Sequence, residues 1–256
     1  MSGNMNENII ELAALDYFRQ LGYHTGFGPL LAPGEPGEER ESFEQVYLFG
    51  RLRDAARRIN PGIDRSLIDD AIKRLERAES QSPIDENARV HKLLTEGVPV
   101  EYRDESGAVR TTSIWLIDYD EPSNNDWLAV NQYTVIENGK NRRPDVLVFV
   151  NGLPLGLLEL KNPAAENATL KSAWNQIQTY RKDIPSVFTA NAVTVISDGT
   201  SAAMSSFTGS FEHYAPWKTI EGREVVTNLP RAGGHSQGRL RTESVPRHPP
   251  QLRRLQ

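Results

Sequence analysis

Two short, almost wholly apolar runs, Val146 to Val150 and Leu153 to Leu158, are joined by Asn151-Gly152. Asn and Gly both tolerate positive φ, so the pair predicts a tight β-hairpin. Neither run alternates apolar with polar residues. Strands of that kind are buried on both faces, as in the middle of an α/β sheet. Asp145 opens the first strand, and Glu159 and Lys161 close the second. Residues two apart on a strand share a face, so Glu159 and Lys161 project together. If Asp145 joins them, the hairpin ends in two carboxylates and one ammonium. Such a pair of acids is a hard oxygen site suited to Mg²⁺, and the lysine beside it can hold an attacking water or stabilise developing charge.

The register sets a condition on that grouping. A regular two-residue turn pairs Val150 with Leu153 and therefore Asp145 with Leu158, which puts Glu159 on the opposite face. A shared site requires one extra residue, from a three-residue turn or a bulge between Gly152 and Gly156. Pro154, which has no amide hydrogen for the ladder, marks a place for it.

Pro144-Asp145 followed by Glu159-Leu160-Lys161 resembles the PD-(D/E)xK nuclease signature. The wider string Asn141 to Pro163 is similar to the N-terminal nuclease domain of the R (restriction) subunit of type I restriction enzymes. The similarity runs from about Ile9 to Pro230. It takes in Asn125-Asp126, Val130-Asn131-Gln132, Asn151-Gly152-Leu153-Pro154-Leu155 and Ile220-Glu221-Gly222. It implies an α/β fold with a PD-(D/E)xK core, a central mixed sheet flanked by helices, and a helical N-terminal insertion. It also implies Mg²⁺-assisted hydrolysis of double-stranded DNA, with Asp145 and Glu159 as metal ligands and Lys161 positioning the water. Methylation and specificity subunits are the implied partners.

Composition fits a single core with appendages. The chain has 256 residues, 38% of them hydrophobic, and no cysteine. The lack of cysteine excludes disulfides and thiolate metal sites and suits a reducing cytoplasm. No apolar run approaches the roughly 18 residues that span a bilayer, and Met1 to Asn8 lacks a signal-peptide pattern; no membrane association is expected. Six arginines and one glutamate in residues 231–256 give +5, so residues 1–230 carry −10 of a net −5. An acidic body argues against a strong unaided grip on DNA, although metal ions and partner subunits can supply positive charge.

Ile10, Ala14, Tyr17, Phe18 and Leu21 recur at helical spacing, with Gly22 as the stop. Glu11 sits at the edge of that stripe. Its plain reading is a solvated helix charge; the resemblance makes it a glutamate that helps hold the metal or its waters. Gly26 to Gly37 reads as a loop, and Ser42 to Ile59 and Arg65 to Ala78 as helices, the second capped by Asp64 or Ser66. Arg51, Arg53, Arg57 and Arg58 read as a solvated face balanced by acids such as Asp54. His91 has no companion at ligand spacing. Val98 to Tyr102 and Ala108 to Tyr119 form a hairpin, and Trp127 to Glu137 a further strand of the mixed sheet.

Leu170, Ala173, Ile177, Tyr180 and Ile184 make an apolar helical stripe that Pro185 ends. Gln176 and Tyr180, four apart, share a face. A core tyrosine with a polar neighbour would explain them. The resemblance supplies a second reading, since they fit the Gln-x-x-x-Tyr motif that follows Glu-x-Lys in one branch of these nucleases and steadies the site or the DNA. Ala192 to Ile196 is a further strand.

Within these residues there is no Gly-x-x-x-x-Gly-Lys-[Ser/Thr] loop, since Gly139-Lys140 is followed by Asn141. ATP is therefore expected only for the motor domain of full-length relatives. The division expected is a nuclease domain over 1–230 and a disordered basic tail over 231–256. Suitable codons for the tail, read one base later, can encode an amphipathic string similar to the family's linker into the motor. The tail therefore has two readings, an ordinary basic segment that touches DNA and the product of a shifted reading frame that cuts the chain short before the motor. The competing readings are a stand-alone DNA repair or mobile-element nuclease and a catalytically idle interaction remnant.

Overall fold

In the computed structural model, residues 2–164 and 168–216 are described, with side chains from residue 8 onward. The expected domain end at 230, the Ile220-Glu221-Gly222 motif and the 231–256 tail lie outside the described residues.

The hairpin forms as β7 (Val146–Val150) and β8 (Leu153–Leu160). Asn151 (φ 52°) and Gly152 (φ 80°) take the two left-handed positions of a two-residue turn. Gly152 is required twice over, because a Cβ there would also lie 2.3 Å from the carbonyl oxygen of Leu48. Every residue of β7 is buried. Val146, Leu147 and Phe149 are fully enclosed, a burial that stabilises by about 1.5–3 kcal/mol for each side chain.

Around this hairpin the sheet grows outward. Its other strands are β1 (His24–Phe27), β4 (Trp127–Asn131), β9 (Val193–Ser197), β10 (Ala202–Ser205) and β11 (Ala215–Pro216), in the order β1-β4-β7-β8-β9-β10-β11. β1 runs parallel to β4 and β8 parallel to β9, and the remaining pairs are antiparallel. Helix α1 (Ser2–Gln20) covers one face, packing Leu15 against Ala129, Val146 and Val148. The other face carries the larger core, covered by α2 (Phe49–Ile59), α3 (Arg65–Glu76), α4 (Pro83–Glu96) and α5 (Leu170–Asp183). Helices α2 to α4 enter between β1 and β4, so the α/β fold, its mixed central sheet and its helical insertion are all present.

Several segments differ from the expectation. The helix expected from Ser42 starts only at Phe49. The backbone before it bonds outward instead, with Phe43 O accepting from Ile136 N and Leu48 N donating to Gly152 O at 2.9 Å. Trp127 to Glu137 is two strands. Gln132 (φ 57°) turns the chain after Asn131. β5 (Val135–Glu137) then folds on β6 (Lys140–Arg142) across Asn138-Gly139 as a separate two-stranded sheet. The 98–119 hairpin forms as β2 (Val98–Arg103) and β3 (Val109–Ile114), outside the central sheet. β3 ends early because Asn60 bonds both the N–H and the carbonyl of Trp115. β1, within and beside a stretch read as loop, is a strand on the sheet edge.

Candidate active site

Val148 faces Gly156, while Phe149 faces Pro154, so Leu155 is the extra residue of a β-bulge. The turn keeps two residues, and the bulge supplies the half-period that the register demanded. Below it Val146 pairs with Leu158; one step further, Asp145 stands opposite Glu159. Both fall on the face of Leu147 and Leu157, the side of α5. The two acids and Lys161 therefore share one face.

The side chains interlock. Lys161 Nζ donates to Glu159 Oε1 at 2.6 Å, and Glu159 is 2% exposed. Asp145 Oδ2 accepts from the backbone N–H of Leu160 at 2.6 Å. The Asp145 carboxyl is pushed up to about 8, first by desolvation and then by the charge of Glu159; the Leu160 N–H opposes the rise, Glu11 adds to it, and Lys161 opposes it. Negative charge here exceeds what one lysine balances.

Helix α5 brings its face across. Its N-terminus is fixed by a capping box, Thr169 accepting from Ser172 N. Tyr180 is buried, its hydroxyl donating to the Arg143 carbonyl at 3.3 Å and lying in hydrogen-bonding contact with Gln176 and Glu159. Burial, followed by the charges of Glu159 and Asp145, pushes the Tyr180 phenol upward, so it stays a neutral donor. Tyr180 thus lies against the acids with Gln176 bonded to it, and Tyr180 is also a core residue.

Glu11 approaches from the α1 side. It is not a solvated charge, being 3% exposed and accepting from Asn131 Nδ2 and Gln132 Nε2. The buried stripe of α1 runs through Glu11 and Leu15, and Tyr17 and Leu21 are exposed. In the sequence Asn131 and Gln132 stand out only within the string Val130-Asn131-Gln132 that carries the resemblance. Their contact with Glu11 carried no periodic signal, because it depends on the left-handed turn at Gln132.

Among the described residues no set of three or more His, Cys, Asp or Glu side chains is placed to hold a metal ion. Glu11 instead spends its carboxylate on Asn131 and Gln132. Mg²⁺ needs no such set, since it is commonly held by one or two carboxylates and keeps several waters. Asp145 and Glu159, drawn together with an excess of negative charge, fit that donor requirement. His91 bonds the Asn191 carbonyl at 3.1 Å. The arginines of α2 pair internally, Arg51 with Glu39 and Asp126, Arg53 with Asp69, and Arg57 with Asp54.

A mixed sheet whose central hairpin ends in an acid, a second acid and a lysine, with helices on both faces, is a restriction-endonuclease-like core. The sequence profile described as "Type I restriction enzyme R protein N terminus" matches residues 4–213. The chain belongs to that family of restriction-system endonuclease domains. It is 35% identical to the type I restriction enzyme HindI endonuclease subunit of Haemophilus influenzae, over 88% of this chain and 21% of the relative. It is 33% identical to the putative type I restriction enzyme MjaIXP endonuclease subunit of Methanocaldococcus jannaschii, over 88% of this chain and 22% of the relative. The chain thus spans about a fifth of the length of these relatives. Among the described residues no helix is long and apolar enough to cross a membrane.

Proposed function

We propose that this chain is a Mg²⁺-dependent nuclease domain that hydrolyses phosphodiester bonds of double-stranded DNA within a cytoplasmic type I restriction-modification complex. Asp145 and Glu159 would hold the ion. When bound, the ion polarises the phosphoryl oxygen and lowers the pKa of a water. Lys161, already tied to Glu159 at 2.6 Å, orients the attacking water and opposes charge on the phosphate. The water oxygen bonds to phosphorus as a P–O ester bond breaks, the water's proton passing to solvent and the departing alkoxide taking a proton from solvent. Tyr180 holds Glu159 from the α5 side, and Gln176 steadies Tyr180. The methylation and specificity subunits choose the DNA site, and ATP serves the motor of full-length relatives.

The observation that carries this reading is the bulge at Leu155, which puts Glu159 on the face of Asp145. A regular hairpin would separate them. The test is plasmid cleavage by the assembled complex carrying Glu159→Ala in this domain. Loss of a metal carboxylate removes several kcal/mol of transition-state stabilisation, about a thousandfold in rate. Undiminished cleavage by that variant sinks the assignment.

A further inference from the structure

At the α1 side of the hairpin end lies a buried acceptor that has no donor among the described residues. Asn131, the last residue of β4, is 1% exposed, and its Nδ2 donates to Glu11 Oε2 at 3.1 Å. A carboxylate only accepts, so that bond fixes which end of the amide faces Glu11 and turns Oδ1 away from it. Among the described residues nothing donates to Asn131 Oδ1. Gln132 repeats the arrangement, with Nε2 donating to the same carboxylate.

Gln132 does this from φ 57°, in the left-handed region that a long side chain seldom occupies. Its backbone is gripped there. Gly28 packs so close that a Cβ would lie 2.4 Å from the Gln132 carbonyl oxygen. Both amides adjoin the hairpin end from the α1 side. Asn131 pairs with Val146 and shares its face, Gln132 N donates to the Asp145 carbonyl at 3.3 Å, and the charge of Glu11, which both amides hold, acts on Asp145. An unsatisfied buried acceptor and a strained non-glycine backbone are each unfavourable. Their coincidence next to Asp145 is explained if an arriving ligand supplies the missing donor.

We infer that Asn131 and Gln132, with Glu11, form an outer shell for the cation held by Asp145 and Glu159. The two amides keep the Glu11 carboxylate in place, and Asn131 Oδ1 accepts a hydrogen bond from a water of the hydrated ion. Asn131 and Gln132 are positioning residues. The inference rests on the proposed metal-dependent function and adds these two residues to it.

Calorimetric titration of Mn²⁺ into the 256-residue chain tests it without reading cleavage. Wild type is expected to bind the ion and Asp145→Asn to lose it. Asn131→Leu and Gln132→Gly are expected to bind about tenfold more weakly, as outer-shell changes do. Gln132→Gly keeps the fold testable even if Asn131→Leu does not fold, because glycine adopts φ 57° without strain. Gln132→Asn, which retains an amide on a residue that tolerates this conformation, recovers part of the affinity. Wild-type affinity in a folded Gln132→Gly, with Asp145→Asn having lost the ion, overturns the inference and leaves the proposed function standing. Wild-type affinity in Asp145→Asn overturns both.

Discussion

Glu86 in the helical insertion and Asp145 at the end of the central hairpin are both carboxylates drawn into the protein, and their surroundings act in opposite directions. Glu86, 4% exposed, accepts from the backbone N–H groups of Glu79 and Ser80 and from the Arg89 guanidinium. Desolvation is the largest influence on it, yet these partners together outweigh it and hold the carboxyl below its usual range. Asp145 has one backbone donor and shares one lysine with a second acid, and it is pushed up to about 8. The fold can therefore satisfy a buried acid fully where the acid is structural. It leaves Asp145 under-compensated where a divalent cation would complete the balance.

The sharpest way to break this contrast is to remove Leu155. Deletion restores a regular ladder and turns Glu159 and Lys161 away from Asp145. Cleavage by the complex should fall about a thousandfold or more, with the secondary structure seen by circular dichroism retained. Persistent cleavage would show that the shared face is not required.

Next comes the charge on Asp145. Its folded pKa of about 8 lies above the ordinary aspartate value of 3.8, so the folded chain holds a proton that the unfolded chain has released. Stability of the metal-free chain should therefore fall as pH rises from about 4 through about 8. Asp145→Asn should abolish that slope and stabilise the metal-free chain at pH 9 by about 2 kcal/mol, a figure discounted for the partial exposure of the residue. Urea melts at pH 5 and pH 9 measure both, and an unchanged slope in the variant would remove Asp145 as its source.

Glu86→Gln should act with the opposite sign. It costs about 1.5 kcal/mol near neutral pH by leaving Arg89 without its charged partner, and the same melts would show it. The smallest effect is expected at Arg53, whose bridge to Asp69 is largely exposed, with side-chain accessibilities of 46% and 40%. Arg53→Ala should stay within about 0.5 kcal/mol of wild type. A larger loss there would blur the distinction between supporting and ornamental charges.

What could be read in the chain beforehand divides along similar lines. The central hairpin, the α5 stripe and the Asp145, Glu159 and Lys161 grouping were legible because local rules determine them: an Asn-Gly turn, period-3.6 apolar spacing and strand parity. The late start of α2 was not, because the 42–48 segment spends its backbone bonds on Ile136 and Gly152, which are distant in sequence. The break after Asn131 was hidden by a glutamine in a conformation that composition associates with glycine. Burial of Glu11 depended on that same break.

The bulge at Leu155 also fixes how this hairpin can change length over generations. Asp145 and Glu159 are separated by thirteen residues, of which one is out of ladder phase. A single-residue insertion or deletion within the paired strands turns one acid away from the other, whereas a residue added in the Asn151-Gly152 turn leaves the ladder in phase. Only a second change of one residue within the paired strands brings it back. Length variation in those strands must therefore come in twos, or as one gain offset by one loss, while the turn and the surface loops of the helical insertion carry no such rule.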